Sequence, residues 1–323
     1  VDVLVGTHAV IEKDVEFSRL GLVVTDEQHR FGVGQRFALA NKAGAPHMLT
    51  MSATPIPRTL ASAVYGDLEV SVIDELPKGR APVKTYAVDS GKRGRAYGFV
   101  RKQLDAGYQG YVVCPLVERG EEKDAPELVS AVEYAEALRE GEFRDYSVGI
   151  LHGRMRAAEK DDIMRRFAGG EIQLLVATTV IEVGIDVPNA VIMLIENAER
   201  FGLSQLHQLR GRVGRGAAQS WCVLISDAKG AAARSRLRTI VSETDGFKIA
   251  EADLALRGPG DFFGLRQHGE ADSRVVEMLG NERLSGIAKA AANALLRDDP
   301  GLRCPEHAAL RTLAARTVEL VNR

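Results

Sequence analysis

"IQLLVATTVIEVGIDVPNAVIMLI", residues 172–195, contains two nearly continuous apolar runs, 172–178 and 190–195. Such runs are typical of strands buried on both faces of a parallel sheet, whereas half-exposed strands alternate apolar and polar residues. Similar runs occur at six further places: 20–25, 47–52, 83–88, 109–117, 146–151 and 220–225. These eight runs predict parallel sheets whose two faces are both covered.

Helical periodicity fills several of the intervals between these runs. It is found at 93–106, 127–140, 157–167, 204–212 and 231–242. Strands that alternate with helices indicate the α/β fold class. Ligands of such folds gather at the carboxyl ends of the strands, and the polar motifs of this sequence follow the apolar runs.

Length and composition limit the function classes. The 323 residues suggest two domains of about 150 residues with a tail, and the values of 45% hydrophobic and 27% charged residues are those of a globular protein. Cys114, Cys222 and Cys304 lie far apart, so we expect neither a disulfide framework nor a zinc site, and a cytoplasmic location. No apolar run reaches about 18 residues and no signal peptide is present, which argues against membrane insertion and secretion.

Charge is balanced overall but uneven locally. The net charge is −2 and the pI about 6.4, which does not indicate a nucleic-acid binder. Between Arg200 and Arg238, however, eight Lys or Arg residues accompany one acid, Asp227. The simplest interpretation of this stretch is a solvated basic face.

Two adjacent carboxylates, Asp26 and Glu27, follow the apolar run 20–25. An Asp at a strand end can bind Mg²⁺ through its waters, and a neighbouring Glu can orient or deprotonate an attacking water. Ser52 and Thr54 close the next run, where their hydroxyls can hydrogen-bond the acidic pair. A surface turn explains either motif equally well in isolation.

Thr178, Thr179, Gly184 and Asp186 follow the strand-like run 172–178. The two hydroxyls can bind a phosphate of nucleic acid or of ATP, the glycine allows close backbone approach, and the carboxylate can accept a hydrogen bond from a ribose hydroxyl. A plain strand and loop is the alternative.

The most specific motif is "QLHQLRGRVGRG", residues 205–216, which fits Q-x-x-G-R-x-G-R with Gln208 as its first residue. We predict that Arg212 and Arg215, three residues apart, occupy neighbouring faces of one helical turn. Two guanidinium groups so placed can clamp a γ-phosphate. Gly211 and Gly214 would each cost about 1 kcal/mol inside a helix relative to Ala, which argues against a helix that serves packing alone.

Taken together, these stretches resemble the motor core of superfamily 2 helicases. "DEQH" resembles the Walker B motif and "SAT" the motif that couples the two motor domains, while 176–190 and 205–216 resemble the fifth and sixth motifs. "DEQHRFGVGQR", "MSATPIPRTLA", "VIDELPKGRAPV", "LHGRM" and "ALRGPGDFFGLRQHG" are similar to the RecG family of bacterial ATP-dependent DNA helicases.

This resemblance implies two RecA-like α/β domains with parallel sheets, the first one truncated, and a C-terminal helical hairpin and loop. The expected boundaries are 1–82, 83–245 and 246–323, and the Pro- and Gly-containing stretch 74–84 reads as a linker. The implied activity is ATP-driven translocation on double-stranded DNA that remodels forks and Holliday junctions in repair and recombination. The implied cofactors are ATP and Mg²⁺. The implied oligomeric state is a monomer, and single-stranded-DNA-binding protein is an implied partner.

The resemblance also implies roles for individual residues. Asp26 and Glu27 would hold Mg²⁺ and activate water, and Arg212 and Arg215 would act as arginine fingers across the inter-domain cleft. The nucleotide would be contacted by Gln28, His29, Gly184, Asp186 and Gln208. DNA contact and coupling would involve Gly6, Thr7, His8, Ser52, Thr54, Thr178, Thr179, Arg257 and Gln267.

The family's P-loop and its DNA-splitting wedge domain do not occur in these 323 residues. The pair Gly91-Lys92 is followed by Arg93 and has Tyr86 where the first glycine of a P-loop would stand. Without the loop's backbone donors and lysine, the β- and γ-phosphates lose most of their partners. We therefore expect a motor fragment that binds ATP weakly and hydrolyses it negligibly by itself.

Two alternatives stay open at this point. The transcription-repair-coupling DNA translocase shares several of these motifs, although "DELPKGRAPV" favours the RecG family. The other alternative is a non-catalytic DNA-binding or protein-interaction module that retained the second motor domain.

Overall fold

The computed structural model describes residues 1–12, 14–26, 42, 46–52, 69–73, 75, 80–115, 131–153, 155–177, 186–257 and 282–321. The chain divides into two compact units. One comprises Val1–Leu68 and Asp272–Arg323, and the other comprises Glu69–Ala271.

The first unit contains a pair of parallel strands, β1 (Leu22–Thr25) and β2 (His47–Thr50). Leu22 lies opposite His47 and Thr25 opposite Thr50, so both strands end at the same edge. The unit also contains helices α7 (Glu282–Asp298) and α8 (Ala308–Val321).

The second unit is built on a six-stranded sheet in the order β3-β8-β7-β4-β6-β5, and every neighbouring pair is parallel. The predicted parallel α/β fold is confirmed, and each of the eight predicted runs contains a strand. The six strands of this sheet are β3 (Lys84–Val88), β4 (Gln109–Val113), β5 (Val148–Leu151), β6 (Leu174–Ala177), β7 (Ala190–Ile195) and β8 (Trp221–Ile225).

Six α-helices accompany this sheet in the described part of the second unit. Five of them lie where helical periodicity predicts them. The six are α1 (Arg93–Asp105), α2 (Ala131–Glu140), α3 (Ala157–Ala168), α4 (Leu203–Arg210), α5 (Ala231–Ser242) and α6 (Gly246–Arg257).

The continuous apolar character of the strands follows from burial on both faces. Along β4, Tyr111 and Val113 face a core formed with α3, α4, α5 and α6, whereas Val112 faces a second core formed with α1 and α2. All six residues of β7 are buried because this strand lies inside the sheet between the two cores. Removing this apolar surface from water is the main force that holds the layers together.

Helix α6 packs against α4 and α5. It begins after Asp245, whose side chain accepts a hydrogen bond of 2.8 Å from the backbone N–H of Phe247, as an N-capping carboxylate does. The boundaries placed at 82/83 and 245/246 from the sequence stay predictions. None of the helices in the described ranges combines the length and apolar character needed to cross a bilayer.

Two glycines of the second unit should respond oppositely to substitution by alanine. A Cβ at Gly110, within β4, would lie 2.6 Å from Cγ2 of Ile192, whereas a Cβ at Gly98, within α1, would meet only the end of the Arg101 side chain at 3.9 Å. We expect Gly110→Ala to lower the free energy of unfolding by about 1–3 kcal/mol through overpacking. Gly98→Ala should raise it by about 0.5–1 kcal/mol through helix propensity.

Denaturant titration of the two variants measures both changes. Equal stability of Gly110→Ala and the parent protein would show that the sheet does not pack as closely as described.

Candidate functional site

Helix α4 and the loop that follows it carry the predicted arginine pair. Leu203, Leu206 and Leu209 recur at helical spacing and are almost completely buried, which fixes one face of α4 against the sheet. At its start, the Gln205 side chain accepts a hydrogen bond of 3.0 Å from the N–H of Gly202. The helix ends at Arg210.

The prediction that Arg212 and Arg215 share a helical turn is therefore wrong. Both lie in the loop after α4, on either side of Val213, which is only 2% exposed. Gly214 adopts a left-handed conformation with φ of 79°, and a Cβ there would lie 2.7 Å from Cγ2 of Val83. Glycine is required at this position of the loop, because a residue with a Cβ fits neither the backbone conformation nor the available space.

Arg215 and Asp186, both predicted site residues, lie together in the structure. Nη1 of Arg215 is 3.4 Å from Oδ1 of Asp186, and Nε donates a hydrogen bond of 3.2 Å to the carbonyl oxygen of Gly211. The Arg215 side chain is 26% exposed, so it is held in place yet open to a ligand on one side. Gln208, on the last turn of α4, is half-buried.

Tyr111 of β4 lies beneath this charged group and was missed by sequence reasoning. Burial raises the pKa of its hydroxyl to about 12, although the positive charges of Arg212 and Arg215 favour the ionised form. Its ring packs on Phe167 with centroids 4.9 Å apart. In the sequence, the feature that could have indicated Tyr111 as a site residue was a tyrosine within an apolar strand, since a buried hydroxyl usually finds a polar partner.

Arg210 differs from the other basic residues of the stretch 200–238. It is 5% exposed and donates hydrogen bonds to the carbonyl oxygens of Ile240 (2.8 Å) and Glu243 (2.7 Å) at the end of α5. These contacts join the end of α4 to the end of α5, next to the arginine loop. The interpretation of this stretch as a solvated basic face is thus wrong for Arg210.

A second buried polar cluster lies at the carboxyl end of β7. Glu196 is 3% exposed and accepts hydrogen bonds from the hydroxyls of Tyr134 (2.6 Å) and Tyr97 (3.1 Å), and Arg93 lies 3.1 Å from it. Burial and the charge of Glu196 raise the pKa of both tyrosine hydroxyls, so they stay protonated as donors. The cluster ties α1 and α2 to the sheet, a role that sequence reasoning did not assign.

In the first unit, Asp26 and Ser52 follow neighbouring parallel strands, β1 and β2. The N–H of Met51 donates a hydrogen bond of 2.8 Å to the carbonyl oxygen of Thr25, which brings the residues after both strands to one edge. The role of this edge as a metal and nucleotide site stays a prediction. Asp26 belongs to the first unit, and Arg212 and Arg215 belong to the second.

Some of the remaining predicted site residues lie within the described part of the chain, and the others lie outside it. Gly6 and Thr7 precede a 3₁₀ helix, His8–Ile11, and Arg257 is the last residue of α6. The other predicted site residues lie outside the described residues: Glu27, Gln28, His29, Thr54, Thr178, Thr179, Gly184 and Gln267.

Two family models match the chain. The helicase conserved C-terminal domain matches residues 100–217, and the C-terminal part of domain 3 of the ATP-dependent DNA helicase RecG matches residues 243–319. The first match contains the arginine loop, and the second contains α6.

Curated relatives extend these matches over almost the whole chain. The ATP-dependent DNA helicase RecG of Bacillus subtilis is 48% identical over 311 residues, which are 96% of this chain and 45% of that protein. The RecG of Thermotoga maritima is 50% identical over 306 residues, which are 95% of this chain and 39% of that protein. The chain thus carries a RecG-type helicase C-terminal domain, with RecG matches over almost its whole length. It spans less than half the length of these RecG relatives.

A solved RecG structure agrees with this assignment. The structure of RecG bound to a three-way DNA junction is 48% identical in sequence, with a TM-score of 0.66, and the match covers 87% of this chain and 36% of that one. The RecG-type helicase fold is therefore supported by sequence and by structure.

His207 should make the RecG-type domain sensitive to acid. Burial, reinforced by the charge of Arg210, lowers the pKa of its imidazole from 6.5 to about 4. The folded state then holds a neutral imidazole while the unfolded state binds a proton below pH 6.5, so stability is complete above pH 6.5 and declines as the pH falls towards 4. We expect His207→Gln to reduce the loss of thermal midpoint between pH 7 and pH 5.

The matched substitution His47→Gln, at an exposed histidine on β2, provides the control for the exchange of histidine for glutamine. Identical acid sensitivity of His207→Gln and the parent protein would contradict the assignment.

Proposed function

We propose that this chain supplies the second motor domain, and part of the first, of an ATP-dependent translocase that acts on branched double-stranded DNA. The observation that carries the proposal is the arginine loop after α4. It holds Arg212 and Arg215 on either side of a buried valine, with Asp186 beside Arg215. Planar guanidinium groups held in this way suit a phosphoryl group and the charge of its transition state.

Asp186 has a specific part in this proposal. Its Oδ1 lies 3.4 Å from Nη1 of Arg215, so this carboxylate is a partner of the guanidinium when no phosphate competes for it. A γ-phosphate carries more negative charge than a carboxylate and accepts hydrogen bonds in the same fork geometry, so it would take over one face of the guanidinium. Asp186 would then be left to contact the nucleotide, together with Gln208 and Gly184.

Asp26 and Glu27 would provide the other half of the nucleotide site. The carboxylates would hold Mg²⁺ through water and orient the attacking water. Gln28 and His29 would contact the nucleotide and respond to its hydrolysis. When bound, Mg²⁺–ATP would supply the phosphoryl charge that these residues contact. The residues of the chain would bind the nucleotide and orient the attacking water. Arg212 and Arg215 would neutralise charge on the phosphoryl group.

The DNA contacts should be mostly to phosphates, and therefore salt-dependent and independent of sequence. The proposed contact and coupling residues include Gly6, Thr7, Ser52 and Arg257 on described backbone. The relative bound to a three-way junction supports branched DNA as the substrate class. We further propose that the protein acts as a monomer, binds single-stranded-DNA-binding protein and is located in the cytoplasm.

Removal of one guanidinium tests the role of the loop in the full-length protein. We expect Arg215→Ala to lower kcat for junction-stimulated ATP hydrolysis by about 10³-fold or more, because an arginine finger acts on the transition state. Binding to a three-way junction should be retained, since it rests on other contacts. ATP turnover and junction binding are both measured.

Arg144→Ala serves as the matched control, because this arginine is 74% exposed and lies next to its partner Asp145. Turnover of Arg215→Ala at the parent rate would overturn the assignment of Arg215. Absence of junction-stimulated turnover in the parent protein itself would instead favour a non-catalytic DNA-binding module.

A further inference from the structure

The turn between α7 and α8 brings together three side chains of metal-binding type. Asp299, Cys304 and His307 each offer one ligand atom, and these atoms all lie within 4.8 Å of one another. Asp299 and His307 are largely covered, while Cys304 is exposed. No part of the proposed motor function uses this cluster, which lies in the first unit.

The backbone of the turn fixes the position of the carboxylate. Oδ1 of Asp299 accepts a hydrogen bond from the N–H of Arg303, and Oδ2 accepts one from the N–H of Cys304, both at 2.9 Å. Leu302 adopts a left-handed conformation with φ of 49°, which is uncommon for a residue other than glycine. The chain thereby reverses direction within five residues and returns Cys304 to the side of Asp299.

The imidazole of His307 completes the group. Its Nδ1 lies 2.8 Å from Oδ2 of Asp299, and its Nε2 lies 4.0 Å from a carboxylate oxygen of Glu306. Histidines that bind metals usually direct their second ring nitrogen towards a carboxylate or a carbonyl, which fixes the tautomer. At 4.0 Å the exposed Glu306 carboxylate is beyond hydrogen-bond distance, and it would have to move closer to do this when Nδ1 is the ligand.

We propose that Asp299, Cys304 and His307 bind one divalent cation of the zinc type. Sulfur, imidazole nitrogen and carboxylate oxygen are the donors that Zn²⁺ takes in proteins, and three protein ligands leave a fourth, tetrahedral position for water. On binding, the Cys304 thiol releases its proton to solvent, and the imidazole keeps a single proton on Nε2, facing Glu306. Nδ1 and Oδ2 then share the cation in place of their hydrogen bond.

The cation would fasten the start of α8 to the end of α7. Asp299 directly follows α7, and His307 directly precedes α8, so both helix ends would be ligated through one ion. A bound ion that the unfolded chain cannot hold in this geometry stabilises the folded state by mass action. Cation binding should therefore slow proteolysis within residues 282–321.

Cobalt is the probe for this site, because Co²⁺ replaces Zn²⁺ and reports a thiolate ligand by its sulfur-to-metal charge-transfer absorption. Full-length protein is stripped with a chelator and titrated with Co²⁺, then with Zn²⁺ in competition. We expect the charge-transfer absorption in the parent protein and its loss in Cys304→Ser. Cys114 and Cys222 are buried inside the second unit and should not contribute.

Asp299→Asn and His307→Gln should each weaken Zn²⁺ binding at least about tenfold. Asp298→Asn is the matched control, because this exposed carboxylate precedes Asp299 directly but does not belong to the cluster. It should bind Zn²⁺ like the parent protein. Circular dichroism of each variant shows that a loss of binding does not reflect unfolding.

Two results would overturn the proposal. One is a Co²⁺ titration of the parent protein without charge-transfer absorption. The other is equal Zn²⁺ affinity for the parent protein, Cys304→Ser and Asp299→Asn. Either result would show that the three side chains form only a hydrogen-bonded turn.

Discussion

The left-handed conformation of Gly214 is the constraint on which the candidate site depends. It lets the chain turn directly after Val213 has entered the core, and this turn brings Arg215 back towards Gly211 and Asp186. An L-residue there would meet both backbone strain and the side chain of Val83. The two arginines are thus fixed by the backbone of a short loop anchored in the core, and they need no long helix to hold them in register.

Buried polar contacts connect this loop to the helices around it. Arg210 joins the end of α4 to the end of α5, and near the other end of α4 the hydroxyl of Ser204 donates a hydrogen bond of 2.9 Å to the buried carboxylate of Asp253 on α6. Buried groups of this kind have few alternative partners, so they specify one arrangement of the three helices.

Much of the fold could be predicted from the sequence, because double-sided burial leaves apolar runs that are easy to recognise. The run that predicts β7 coincides with the strand itself. The end of α4 could not be predicted from periodicity, since "QLRGRVGR" continues an amphipathic pattern while its glycines serve a loop. The partners of Arg210 and Glu196 come from distant segments, and no local pattern indicates such contacts. The turn formed by Asp299, Cys304 and His307 is local, but it was missed because its spacing matches no paired-cysteine pattern.

The central proposal is that one short loop presents two guanidinium groups, those of Arg212 and Arg215, to a nucleotide phosphate. A crystal structure of the full-length protein with Mg²⁺ and a non-hydrolysable ATP analogue tests it most directly. The account predicts a guanidinium nitrogen of Arg215 within about 2.7–3.2 Å of a γ-phosphate oxygen, with Arg212 beside it. A nucleotide-bound, closed structure in which both arginines point away from the phosphates would contradict it.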